Sequence, residues 1–168
     1  MPIEYEIDTP DVIVPDEAED EEEIPVIYYE TQWATLNVDG WEYRDIPVYF
    51  GDSNEILAIG AGQWIGSRFC GQGQKIVICA HVTSHFYEIE DTEVGTEITM
   101  DATYGTYKYR VKDIVIFSIT DDSLLTKQYD EETLILYTCY PRTNGFDYKS
   151  ERIALVCEKI SGKDYPID

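Results

Sequence analysis

Three side chains in this sequence have the types and settings for acyl transfer: Cys139, His81 and Arg152. Each stands where an apolar, β-branched run meets polar residues. His81 follows the run from Lys75 to Ala80, Cys139 follows Leu134 to Thr138, and Arg152 precedes Ile153 to Val156. Groups at strand ends ride on loops held by a rigid scaffold, the usual place for reactive side chains. In such a set a thiolate attacks a carbonyl carbon, an imidazole moves protons, and a guanidinium with backbone donors steadies the oxyanion. Cationic neighbours would also lower the thiol pKa and enrich the thiolate near neutrality. Spacing alone leaves a plainer reading open for each: an inert core thiol, a satisfied core histidine, a surface ion-pair partner.

The elements that must position these residues read as strands. Thr35 to Val38, then Asp39-Gly40, then Trp41 to Tyr43 predicts a hairpin with an Asp-Gly turn. Ile46 to Phe50 extends the same sheet, with Pro47 marking an edge or a strand start. Asp52 with Glu55 three residues on predicts the cap of a short helix, halted by Gly60 and Gly62. Lys75 to Val82 is a buried strand, and His85 to Glu90 has room for one helical turn. Thr96 to Asp101 and Thr106 to Phe117 flank Tyr104-Gly105 as a second hairpin. Asp121 to Asp130 holds one short helix at most, and Thr133 to Cys139 and Arg152 to Ile160 are the last strands. About eight strands with few, short helices predict a mainly β fold, a closed or nearly closed barrel. No internal repeat is present.

A chain of 168 residues and 19.3 kDa makes one compact domain. Hydrophobic residues at 43% and charged residues at 27% supply a core and exclude wholesale disorder. Asp and Glu number 34 against 12 Lys and Arg, a formal charge of −22 that repels phosphate backbones. Nucleic acid and anionic lipid are therefore poor partners. Residues 1–30 hold 12 of the acids and no Lys or Arg, with four prolines and seven acids in the eight positions Asp16 to Glu23. That predicts an extended acidic arm or linker over 1–30, followed by the folded domain over 31–168. Its apolar clusters, Val12 to Val14 and Val26 to Tyr29, are able to dock on that domain. No run of 18 apolar residues and no basic-then-apolar leader occurs in the sequence.

At the chemical residues the sequence resembles a known family. Leu134 to Pro141 (LILYTCYP) resembles the signature of sortases that ends in T-C-Y-P. Gly60 to Ser67 (GAGQWIGS) resembles the G-x-G-H-x-x-G-S segment of class D sortases. Ile76 to His81 with Phe86 resembles their strand, Gly-His pair and downstream Phe, and Arg152 to Val156 resembles their closing R-x-x-L-V strand. The likeness covers about Trp33 to Ile160 and implies a sortase-type β-barrel with Cys139 as nucleophile, His81 as general acid/base and Arg152 as oxyanion or substrate-orienting cation. It implies a thiol transpeptidase of Gram-positive cell surfaces that needs no cofactor. Such an enzyme cleaves an LPxTG-type sorting signal at Thr–Gly and passes the thioacyl group to a peptidoglycan or pilin amine. Tethering to the outer face of the membrane is expected through an N-terminal segment preceding Pro2, with the acidic arm as stalk and the protein a monomer. A noncatalytic sortase-like peptide-binding module is the alternative.

Two positions depart from the family pattern: Ala80 replaces the Gly before the histidine, placing a methyl group near the site, and Gln63 replaces a second His. The segment from about Ser118 to Glu132 is expected over the peptide groove. Leu124, Leu125, Tyr129 and Thr138 are candidate substrate contacts, with core packing of the first three the competing reading. The Tyr140 to Glu151 loop is expected to hold Arg152 and gate the acceptor. Cys70, Cys79, His81 and His85 match no common zinc spacing, so no metal is expected. Cys79 shares a strand face with His81 and is read as a buried structural thiol. Cys157 faces the core, Cys70 in its Gly-rich stretch is the expected exposed thiol, His85 lies beside the site, and no disulfide is expected.

Overall fold

The β-branched and aromatic runs become eight strands in the computed structural model, which describes residues 23–143 and 148–165. They are β1 (Gln32–Val38), β2 (Ile46–Phe50), β3 (Ala61–Gln63), β4 (Lys75–Cys79), β5 (Glu97–Ala102), β6 (Gly105–Ser118), β7 (Thr133–Tyr140) and β8 (Glu151–Ser161). The sheet closes in the order β1-β2-β3-β4-β7-β8-β6-β5, and β5 returns to β1. The β2–β3 and β4–β7 pairs are parallel and the rest antiparallel. The expected mainly β, closed eight-stranded barrel is what forms. Two four-residue helices, α1 (Asn54–Leu57) and α2 (Ser123–Thr126), and a 3₁₀ helix over Tyr87–Asp91 sit in its loops.

Two of the expected elements change places. Trp41 to Tyr43 is not a strand. Trp41 is buried, its Nε1–H donates to Thr92 Oγ1 at 2.9 Å and its ring meets Phe86 edge-on. The Glu88 carboxylate takes the N–H groups of Glu42 and Tyr43 that a ladder would need. The hairpin partner of β1 is β2, with Leu36 opposite Ile46 and Ala34 opposite Val48. The eighth strand is instead β3, read from sequence as the stop of a helix. At Gly62 a Cβ would come within 2.5 Å of the Gly51 carbonyl oxygen, so only glycine lets these backbones approach. The helix cap also moves by one residue: Ser53, not Asp52, accepts the Ile56 N–H at 3.3 Å.

Alternation along the strands sends Leu36, Ile76, Ile78, Met100, Leu134, Leu136 and Leu155 into the barrel, where they are fully buried. Cys157 and Cys70 join them. The expectation of an exposed Cys70 fails because the Gly-rich loop folds inward. The Gly71 and Gly73 N–H groups donate to the buried Glu132 carboxylate, which the Tyr109 hydroxyl also reaches. A buried carboxylate takes such donors to offset its lost hydration, and the loop is drawn down with it. Residues 1–22, which carry most of the acidic arm and its Val12 to Val14 cluster, lie outside the described residues. Of the second cluster, Ile27 packs on the core and Tyr29 meets Phe50 edge-on, while Val26 and Tyr28 are exposed.

Candidate active site

The outer faces of β4, β7 and β8 carry a second apolar strip. Val77 pairs with Ile135, and Tyr137 pairs with both Cys79 and Ala154, so these side chains share one side of the sheet. Carried two residues further, the same alternation brings Cys139 onto that face directly opposite Arg152. Opposed residues of an antiparallel pair have Cβ atoms about 5 Å apart. β4, paired parallel with β7, ends at Cys79 opposite Tyr137, and His81 follows two residues past that end. That register is enforced at the last step: Thr138 Oγ1 donates to the Ala80 carbonyl at 2.7 Å. The ladder sets Cys139 opposite Arg152, and His81 follows the end of the strand on the other side of β7.

Their surroundings differ in kind. Cys139 is half-buried and His81 exposed. Behind His81 the chain turns on its own carbonyl, which accepts the N–H groups of Ser84 and Phe86, and Val82 and Phe86 are buried as anchors. Arg152 Nη1 donates to the carbonyls of Lys149 and Glu151, both at 3.0 Å, which aims the guanidinium without neutralising it. The neighbouring Cys79 thiol is pushed up to about 12, chiefly by burial, so it stays protonated beside the site. Burial, then the charge of His81, pulls the His85 ring below its usual 6.5; its Nδ1 lies 3.4 Å from Ser84 Oγ.

Thr138 points into the barrel and is buried, so it does not line the groove as expected; its hydroxyl ties β7 to β4 instead. The Ala80 methyl also points inward and does not crowd the site. Gln63 is buried, donating to the Arg68 carbonyl at 2.8 Å. The Ser118 to Glu132 segment folds onto the strip. Leu125 is buried against it, Leu124 and Tyr129 remain half-exposed at its edge, and the Tyr129 hydroxyl donates to the Leu124 carbonyl. Lys75 Nζ fixes the turn by donating to the carbonyls of Leu125 and Lys127. Two residues of this strip went unread in the sequence. Tyr137 was available from the period-2 alternation with Cys139. Trp64, whose Nε1–H donates to the Tyr137 hydroxyl at 2.9 Å, comes from a loop with no periodic signal. Among the described residues no cluster of His, Cys, Asp or Glu is arranged to hold a metal ion.

Residues 36–160 match the sortase domain family. Sortase D of Bacillus subtilis is 29% identical over 97 residues, which cover 58% of this chain and 49% of that protein, so the match spans about half of the relative's length. A sortase D transpeptidase of Clostridium perfringens superposes with a TM-score of 0.72 at 19% identity, covering 89% of this chain and 90% of the other. Sortase A of Corynebacterium diphtheriae superposes with a TM-score of 0.70 at 23% identity, covering 80% of this chain and 63% of that one.

Proposed function

The chain belongs to the sortase family, and from that premise we propose that it is a cysteine transpeptidase with Cys139 as nucleophile, His81 as general acid/base and Arg152 as oxyanion-stabilising cation. The observation that carries this reading is the register of β7, with Arg152 directly opposite Cys139 on one side and, on the other, the end of β4, two residues before His81. The substrate is a protein with a C-terminal LPxTG-like sorting signal, laid along the apolar strip between Trp64, Tyr137 and Leu124.

The Cys139 thiolate adds to the threonine carbonyl, and the oxygen's new charge meets the Arg152 guanidinium. Collapse of the adduct breaks the Thr–Gly bond. His81, as imidazolium, gives its proton to the departing glycine nitrogen, leaving a thioester on Cys139 and a neutral imidazole. An amine from a peptidoglycan cross-bridge or a pilin lysine then attacks the thioester. Its proton passes to His81, the new amide forms, and the thiolate leaves. Water in place of the amine gives slow hydrolysis. The reading places the enzyme on the outer face of a Gram-positive cell membrane, joining surface proteins to the wall or to pili.

A fluorogenic LPxTG-type peptide tests it, with a soluble amine added or withheld. Cleavage by the native protein and its loss in Cys139→Ala, by at least about 10³-fold, are expected. Undiminished turnover in that variant would discredit the nucleophile; no cleavage of a peptide that binds would indicate a binding module.

A further inference from the structure

The loops that follow His81 and Cys139 are joined by one side chain. Arg142, three residues after Cys139, donates from Nη1 to Asp91 Oδ2 at 2.7 Å and from Nη2 to Asp91 Oδ1 at 3.0 Å. Nη1 also donates to the Tyr87 carbonyl at 3.0 Å, the guanidinium lies 4.5 Å from the centre of the Tyr87 ring, and the Arg142 N–H donates to Glu90 Oε2. Tyr87, Glu90 and Asp91 all belong to the 3₁₀ helix of the segment that begins at His81. A two-pronged pair with backbone bonds and a ring beneath it fixes direction as well as distance, which a lone surface pair does not. The same loop reaches Arg152 from its other end: Lys149, a buried lysine, donates from Nζ to the Thr143 carbonyl, and its own carbonyl holds Arg152.

We infer that Arg142 is a positioning residue for the transpeptidase reaction: by clamping Asp91 and Tyr87 it sets the place of His81 relative to the Cys139 sulfur. The barrel determines the registers of β4 and β7, but His81 lies past the end of β4 and is exposed. The chain beyond it is held by the buried Val82, Phe86 and Ile89, by the contacts of Glu88 and Thr92 with the Trp41 to Tyr43 segment, and by this clamp, which alone of these ties it to the loop after Cys139. Small displacements between nucleophile and proton carrier cost rate steeply, so the clamp bears on the chemical step more than on substrate binding.

The inference rests on the transpeptidase reading, and the test separates the two. Peptide-cleavage kinetics and the pH profile of Cys139 alkylation are measured on the full chain for R142Q, D91N and, as reference, H81A. Circular dichroism melts verify folding, and R142K replaces R142Q if the latter does not fold, since a lysine keeps the charge and loses the fork. Expected are a fall in kcat of about tenfold for R142Q and D91N with KM within about twofold. Their alkylation profiles should move toward that of H81A. Wild-type kcat and profiles in folded R142Q and D91N would overturn the clamp. Wild-type kcat and profile in H81A would overturn the enzyme reading beneath it.

Discussion

At the scale of single residues the four thiols are sorted by environment. Cys70, Cys79 and Cys157 are buried, and burial holds each thiol protonated, Cys79 at about 12 and the other two higher still. Cys139 is half-buried at the end of a strand facing a guanidinium. Brief iodoacetamide treatment of the folded protein should therefore add one group, located at Cys139 by peptide mass, whereas denatured protein takes up four. A second rapid adduct under native conditions would contradict this partition. Cys139, His81 and Arg152 were legible in the sequence because each ends or begins an apolar run and lies in a matching motif. Thr138 was misread for the opposite reason: it lies in the motif, but its side chain belongs to the inner face, where it bonds Ala80.

At the scale of elements, α2 and the turn around it pack on the outer apolar strip, and its two leucines have separate tasks. Leu125 is buried against Val77, Ile135 and Ala154, while Leu124 stays half-exposed at the edge. Leu125→Ala should lower unfolding stability by roughly 2–3 kcal/mol through the cavity it leaves. Leu124→Ala should cost less than about 1 kcal/mol and raise KM for the peptide instead. Denaturant melts and cleavage kinetics on the two variants check the division, which equal stability losses would refute. Helical spacing alone could not separate the pair, since adjacent residues of a single turn differ only in what lies beneath them. The same limit explains the exchange of Trp41 to Tyr43 for Ala61 to Gln63. A three-residue strand is recognised by its neighbours, and here the neighbours are Val48 to Phe50 and the end of β4.

For the whole molecule, the −22 charge is a long-range property that no single contact expresses. On the transpeptidase reading proposed above, an acceptor amine would approach as an ammonium and be drawn toward such a surface, an attraction that salt screens within about 8 Å at physiological ionic strength. Transfer to a cationic amine should thus lose roughly tenfold in kcat/KM for the acceptor between low salt and about 0.5 M, while hydrolysis of an uncharged peptide changes little. Initial rates across a salt series decide it, and a flat acceptor dependence would remove the field from the mechanism. The barrel itself was readable in advance, because period-2 alternation and turn residues are local and survive in one dimension. So was the family, through the motifs around Cys139, His81 and Arg152. What the tertiary structure alone decided is relational: that β7 lies between β4 and β8, that Cys139 faces Arg152 across a ladder, and that Asp91 reaches Arg142 across 51 positions. Strand order and long-range pairing are set by how faces close on one another in space, and no window along the chain contains both partners.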